Sequence, residues 1–562
     1  MKHHIVDLLS TVLGEHLAAG EISRLLEIPP QESLGDFAFP CFPLARTFRK
    51  NPAAIALELR QKMATPPYIG RIEAVSGYLN FFLDHREMAR EMLSAASQDN
   101  FGGAECARRV VVEFGSPNTN KPLHLGHLRN IAIGESVARI LSFCGNAVVR
   151  CSINNDRGVH ICKSMLAYAE EGHGETPETA GKKSDHFVGD YYVLFNTRAR
   201  ADESWNGRAQ ELLRKWEAGD NETVALWRKM NAWALDGFAA TYRLFGIKFD
   251  KEYFESRIYT SGKEIVADGL GRGIFFRRED GAICADIGNT ASEGAEKVLL
   301  RPDGTSVYIV QDLSLAVMKN EEYGYDLSLY VVGNEQEYHF AVLKALLEKL
   351  GYPIAGKIRH LSYGMVELPE GKMKSREGTV VDADDLIAET QDLAKGELRE
   401  RYTLSEDAMK ERSLKIALAA LKYQLLKVDI AKTMVFDPKQ AIAFEGDTGP
   451  YLLYSYARAS SILRKAARET VPEIKDLAPQ EVRLVKKIQA FPDVVESAYG
   501  RISPTVIAVY AFELAQCFNE FYHACPVIGS VEEGFRIALI KSFRAVLKRC
   551  LWLLGIEEIE EM

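Results

Sequence analysis

The chain has 562 residues, too many for one hydrophobic core, so about two to four domains are expected. Its make-up of 47% hydrophobic, 26% charged and 10% aromatic residues is that of an ordinary globular protein, and no apolar run approaches the roughly 20 residues of a membrane span. A net charge of −9 argues against gripping nucleic acid through an overall basic surface, although residues 451–550 hold 14 Lys/Arg against 10 Asp/Glu, a local +4 that permits a basic face. The nine cysteines are odd in number and form no CxxC pair, which fits reduced thiols in a cytoplasmic protein better than disulfides or metal ligands.

In chain order, the N-terminal stretch, broken by Asp7, Glu15 and His16, reads as an amphipathic helix rather than a signal peptide. Residues 1–95 form a small α/β domain, with helices flanking a loop from Pro29 to Pro40 and a strand at Gly77–Leu83; the polar run Ser97–Gly103 reads as a linker. Val110–Val112 reads as a buried strand. It stops in the turn formers Gly115, Ser116, Pro117, Asn118, Thr119, Asn120 and Pro122. After His124-Leu125-Gly126-His127, apolar residues recur at helical spacing through Leu128, Ile131, Val137, Ile140 and Leu141 to Gly145. A second strand follows at Ala147–Cys151, which completes a βαβ unit of a parallel sheet. Such sheets bind ligands beyond the carboxyl ends of their strands. There the free N–H groups and positive dipole of the following helix favour phosphate.

Residues 166–250 read as a helical insertion whose Trp205, Trp216, Trp227 and Trp233 serve packing rather than base stacking. Ser306–Val310 and Leu327–Val332 are strand-like, and Phe340–Leu350 is a helix ended by Gly351 and Pro353. These imply the second half of a doubly wound sheet. Beyond about residue 395 strand signals stop, and 405–428, 452–468 and much of 481–556 show helical periodicity. The fold class is therefore α/β. A Rossmann-type doubly wound catalytic domain (105–395) lies between a small α/β N-terminal domain (1–95) and an all-α C-terminal bundle (396–562).

Two stretches carry chemistry. In the H-x-G-H tetrapeptide, imidazoles can donate hydrogen bonds to phosphoryl oxygens as charge builds, and Gly126 lets an adenine ring approach the backbone. Gly371-Lys372-Met373-Lys374-Ser375-Arg376-Glu377-Gly378 is a cationic stretch suited to a triphosphate. Read singly, each has a bland alternative: a surface or core histidine, and a solvated loop.

Together these resemble the two signatures of class I aminoacyl-tRNA synthetases, HIGH and KMSKS. EFGSPNTNKPLHLGHLRN, NDRGVHICKSM, DGTSVYIVQD, VVGNEQEYH, GKMKSREGTVVDADDL and EGDTGPYLLYSYAR are similar to arginyl-tRNA synthetases, over nearly the whole chain. Two departures stand out. Gly115 replaces the family's usual serine. KMKSR has Ser375 where the second signature lysine belongs, with Lys374 one place earlier, and Lys121 is the residue thought to compensate.

The resemblance implies an arginine–tRNA ligase that uses ATP and Mg²⁺, acting as a cytoplasmic monomer with no membrane attachment. It assigns catalysis to His124, His127, Lys121, Lys372 and Lys374. It assigns ATP contacts to Pro117, Gly126, Met373, Ser375 and the two histidines. Arginine falls to Glu113, Asn118, Tyr308, Asp312 and Gln336, and tRNA(Arg) to Tyr451, Tyr454, Arg458 and Arg501. No protein metal ligand is implied. The N-terminal domain would touch the tRNA elbow and the bundle the anticodon arm. A guanidinium is planar, permanently charged and carries five donors, so carboxylates and amide oxygens suit it. Tyr308 and Asp312 are one helical turn apart and can face one cavity. No editing domain is apparent, and members of the family generally need bound tRNA to activate arginine.

Three alternatives stay open: a class I synthetase for lysine, a non-catalytic tRNA-binding paralogue, and a small-molecule nucleotidyl transferase. A cysteine enzyme is disfavoured because no zinc-binding cysteine set is present.

Overall fold

The computed structural model describes residues 2–288, 296–367, 381–466 and 473–562. Two compact units divide the chain. The smaller comprises Met1–Gly102, Arg458–Asp493 and Glu513–Leu547, the larger Gly103–Ala457, Val494–Phe512 and Lys548–Met562. The helices expected as one bundle after residue 396 are thus shared between the two units.

In the smaller unit, strands β1 (Phe37–Pro40), β2 (Ile69–Val75) and β3 (Tyr78–Leu83) form an antiparallel sheet in the order β1-β3-β2. Phe37–Pro40, expected within a loop, is an edge strand of this sheet. Pro40 lies at its end, where a missing N–H costs no ladder bond. Phe39, Leu79 and Phe81 are fully buried beneath it. Helix His85–Ala96 begins at Asp84, whose carboxylate accepts from the N–H of Arg86 and Glu87 at 2.9 and 3.1 Å.

The larger unit carries β4 (Arg109–Glu113), β5 (Ala147–Asn154), β6 (Lys251–Phe254), a small antiparallel sheet of β7 (Phe276–Arg277), β8 (Ile283–Asp286) and β9 (Glu296–Leu300), then β10 (Leu327–Gly333) and β11 (Ile358–Tyr363). The main sheet runs β11-β10-β4-β5-β6, parallel throughout. Strand order reverses between β4 and β10. That switch point opens a crevice beyond their carboxyl ends, the usual ligand position in such sheets.

Val110, Val111 and Val112 are all buried, as a strand covered on both faces requires. Helix Leu125–Phe143 crosses from β4 to β5. It approaches the end of β4 so closely that a Cβ on Gly134 would lie 2.2 Å from Cγ of Phe114, so only glycine fits there. Its Arg129 is fully buried and donates to the carbonyls of Met365 and Lys432, each at 2.8 Å. Those residues flank a short parallel pairing of Val366–Glu367 with Met434–Val435, the one strand signal found after residue 395 among the described residues.

Ser306–Val310 is not a strand. Ser306 makes one bridge to Leu300, and a helix then runs Tyr308–Tyr323. Tyr308, Ile309 and Val310 favour strands locally. Burial of Ile309, Val310, Leu313 and Ala316 at helical spacing against the sheet outweighs that preference.

The insertion is helical, as expected, with its longest helices at Ser184–Ala201, Ser204–Glu217 and Asn221–Leu244. Its tryptophans pack edge to face: Trp216 on Trp227, Trp205 on Phe195, and Trp233 on Phe187 and Tyr168. All nine cysteines are free thiols. No helix of the described residues is long and apolar enough to cross a membrane.

Candidate active site at the carboxyl end of the sheet

The histidines stand at the N-terminus of the helix that follows β4. His124 is the N-cap of helix Leu125–Phe143, in extended backbone, and its Nδ1 accepts from the N–H of Gly126 at 3.1 Å. Nδ1 of His127 accepts from the N–H of His124, also at 3.1 Å. The pair thus makes a capping box in which imidazoles stand in for the usual hydroxyl and carboxylate. Both Nδ1 atoms being acceptors, the proton of each neutral ring is on Nε2, which remains as a donor. Burial, then Lys121, lowers the His124 pKa to about 4 against the opposing pull of Asp382. Burial, then His124 and Lys121, takes His127 well below the usual range. Both rings are therefore neutral near pH 7: two hydrogen-bond donors without charge at the positive end of a helix of 19 residues.

Lys121 is half-buried, and burial lowers its pKa. It lines a cavity of about 170 Å³ together with His124, Pro122, His186, Tyr192 and Asp382. Pro117 is buried in the loop that leaves β4. Lys372, Met373, Lys374 and Ser375 lie outside the described residues. Chain that follows them returns to the histidines: Leu125 N–H donates to the Val381 carbonyl at 3.1 Å, and Ala383 N–H to that of Leu123 at 3.0 Å.

The residues expected to meet arginine differ in exposure. Asn118, Tyr308 and Gln336 are exposed, at the ends of β4 and β10 and the start of helix Tyr308–Tyr323. Asp312 is half-buried, one turn along that helix from Tyr308, with Oδ2 2.5 Å from Nε2 of His339. Glu113, the remaining arginine candidate, is nearly buried. It is 5% exposed, and its Oε2 accepts from Nζ of Lys319 at 2.7 Å, with Lys319 itself fully buried. The physical reason is its register between Tyr330 and Cys151 in the middle of the sheet, where a lone carboxylate would be costly. Lys319 is seven residues, two turns, from Asp312, so the two share a face of the helix. Nothing in the local sequence pairs it with Glu113.

The departure at Gly115 has a structural account. Its φ is +88°, and an added Cβ would lie 3.0 Å from the ring of Phe249 and 3.3 Å from the Ser152 and Tyr242 hydroxyls. Its N–H donates to Oδ1 of Asn130 at 2.6 Å. A serine here is strained and crowded, so Gly115→Ser is expected to cost about 1–2 kcal/mol of stability, read as a lowered midpoint in urea. An unchanged midpoint contradicts this.

The NDRG stretch after β5 is a hub. The Asp156 carboxylate accepts from the Ser256 N–H and hydroxyl at 2.8 and 2.6 Å, and its carbonyl accepts from Trp227 Nε1 and Asn231 Nδ2. Arg157 pairs with Glu217 at 2.6 Å and lies over the Tyr259 ring. Local sequence gives these residues no role. The structure shows that they fasten the insertion to the sheet.

Among the tRNA candidates, Tyr451, Tyr454 and Arg458 are half-buried along helix Gly449–Lys465. Arg458 donates to Asn519 at 2.5 Å and lies over the Tyr522 ring. Arg501 is exposed at the end of helix Phe491–Arg501. Tyr456 and Phe521 are fully buried and serve the core.

A parallel doubly wound sheet with H-x-G-H at its first helix is the architecture of class I aminoacyl-tRNA synthetases, and the comparisons agree. Residues 91–437 match the family model "tRNA synthetases class I (R), catalytic domain", residues 452–562 the DALR anticodon binding domain, and residues 1–83 the arginyl tRNA synthetase N terminal domain. An arginine–tRNA ligase of Treponema denticola is 44% identical over 560 residues, covering 96% of this chain and 94% of the relative. One from Bacteroides fragilis is 42% identical, covering 99% and 98%. The solved arginyl-tRNA synthetase of Thermus thermophilus superposes with a TM-score of 0.86 at 28% identity, over 100% of both chains. The chain belongs to the arginine–tRNA ligase family.

Proposed function

We propose that this chain attaches arginine to tRNA(Arg) in two steps at the crevice between β4 and β10. The family's ligase activity brings ATP, arginine and tRNA to the site. The observation that carries the reading is the neutral His124–His127 pair, with two Nε2 donors, at a helix N-terminus on the switch point of the sheet. In the first step the arginine carboxylate attacks the α-phosphorus of ATP in line, the bond to the bridging oxygen breaks, and pyrophosphate leaves. His124 and His127 donate to the oxygens on which charge develops. Lys121, Lys372 and Lys374 hold the leaving phosphates, while Pro117, Gly126, Met373 and Ser375 complete the nucleotide site. In the second step the 2′-hydroxyl of the terminal tRNA ribose attacks the arginyl carbonyl, and AMP leaves.

Asp312 is the carboxylate for the guanidinium, framed by Asn118, Tyr308 and Gln336. Glu113 joins this set from the end of β4, its carboxylate paired with Lys319. A site built to pair with a guanidinium strongly rejects amino acids without one, which makes an editing domain unnecessary.

Mg²⁺ bound to the nucleotide would supply neutralisation of the phosphate charge. Among the described residues, one of two candidate metal clusters, Asp185, His186 and Asp384, already holds the Lys183 ammonium, 2.6 Å from Asp384 and 3.1 Å from Asp185, so it does not fit a resident ion. Tyr451, Tyr454, Arg458 and Arg501 contribute to the tRNA surface, and residues 1–95 meet the elbow of the tRNA. The enzyme works as a cytoplasmic monomer.

The test is ATP–pyrophosphate exchange with arginine, with and without tRNA. Exchange should be strong with tRNA, weak without it, and abolished by chelating Mg²⁺. No exchange under any condition would favour the non-catalytic reading.

A further inference from the structure

Facing the histidines, a cluster of charges joins the insertion to the sheet. His124 and Asp382 face one another across an antiparallel bridge, closed by the two backbone hydrogen bonds between Leu123–Leu125 and Val381–Ala383. Asp382 is also the N-cap of helix Ala383–Arg401, its Oδ1 accepting from the N–H of Asp384 at 2.8 Å and of Asp385 at 3.2 Å. Its Oδ2 is buried and makes no hydrogen bond of good geometry, although Nε2 of His186 lies 3.3 Å away. The same Nε2 is 3.1 Å from Oδ2 of Asp384. Lys183 reaches Asp384, Asp185 and the Thr241 hydroxyl. Lys183, Asp185 and His186 come from the start of an inserted helix, Thr241 from another. His124, Lys121, His186 and Asp382 line one cavity.

We propose that His186 is a positioning residue for arginine activation: as the cation against Asp382, it holds the bridged segment that faces His124 and keeps that histidine in its capping geometry. The inference rests on the reading of His124 as a donor in the first step. Its physical basis is charge balance. The groups facing His124 are Lys121 and His127 from its own segment and Asp382 opposite. Those facing His186 are Asp185 and Lys183 beside it and Asp382 and Asp384 across the gap. The close Asp382 carboxylate, 3.3 Å away, and then the hydrogen bond to Asp384 push the His186 pKa up to about 10, so it stays charged at every working pH. Without that cation, the Asp382 carboxylate is less compensated and favours protonation of His124. A protonated Nδ1 cannot accept the Gly126 N–H, so the ring would leave its cap. His186 touches none of the reacting atoms in this scheme.

The test compares pyrophosphate exchange from pH 4.5 to 9 for the full-length wild type and for His186→Gln, His186→Lys, and His186→Gln combined with Asp382→Asn. In His186→Gln the acidic limb of kcat should move up by about one pH unit, the scale expected when a neighbouring charge is unmasked. His186→Lys, which restores a cation, should return the limb toward its wild-type position, as should the double variant, which removes the carboxylate charge. A merely structural role lowers activity at every pH and leaves the limb in place; that result overturns the inference. His124→Ala runs as the control. If it retains the wild-type rate, the reading of His124 fails and the inference with it. If it is crippled while the His186→Gln limb does not move, the inference alone fails.

Discussion

His127→Ala is expected to slow arginine activation by about 10²–10³-fold, equivalent to about 3–4 kcal/mol of transition-state stabilisation, the scale of losing one preorganised donor. The argument runs from hydrogen bonding to rate. Nδ1 of His127 is committed to the His124 N–H, so Nε2–H is its only remaining donor. Burial keeps the ring neutral, so it contributes an aimed dipole rather than a charge. Such a donor gains strength as negative charge builds on the α-phosphate, and so acts on kcat more than on substrate binding. Alanine also removes half of the capping box, worth about 1 kcal/mol of helix stability. His127→Asn keeps a side-chain acceptor near the cap and separates the two effects. The readout is kcat for pyrophosphate exchange beside the urea midpoint. A near-normal rate in His127→Ala contradicts the assigned role.

Lys319→Met should destabilise the larger unit by about 3–5 kcal/mol, because it leaves the Glu113 carboxylate buried without its partner. Lys319 is fully buried and Glu113 nearly so, and Nζ also lies 3.8 Å from the centre of the Tyr330 ring. The Glu113 charge raises the Lys319 pKa well above its ordinary value even though burial alone would lower it, so the ammonium persists throughout the working range. Removing both charges, as in Lys319→Met with Glu113→Gln, should recover most of the loss, since the penalty belongs to the unpaired ion rather than to the missing pair. Urea unfolding of the two variants decides the matter. A double variant no more stable than Lys319→Met would mean that the pair is not the source of the cost.

Local pattern in the sequence carries the parallel sheet, the histidine helix and the helical insertion. A run of valines, a turn of glycine, proline and asparagine, and a helical repeat are each written within a few residues. The same local reading fails at Ser306–Val310. There β-prone side chains occupy the first turn of a helix because the sheet beneath needs a packed face. It fails also for Glu113, whose partner is 206 residues away. The chemistry of a guanidinium made Glu113 a candidate for arginine, and only the register of β4 between β5 and β10 shows why it is buried. Gly115 shows the reverse. It looked like a departure from the family, and the aromatic ring of Phe249 together with a positive φ accounts for it. His186 lies in no recognisable motif and His339 only closes the VVGNEQEYH stretch, so neither shows a role locally, and each acquires its carboxylate partner only on folding.

The central claim is that this crevice selects arginine. The most direct test is aminoacylation of tRNA by the full-length chain, with arginine and lysine compared in the same assay. The account predicts arginine attached to tRNA with no charging by lysine, and a rise in KM for arginine but not for ATP in Asp312→Asn. Charging with lysine in preference to arginine would contradict it.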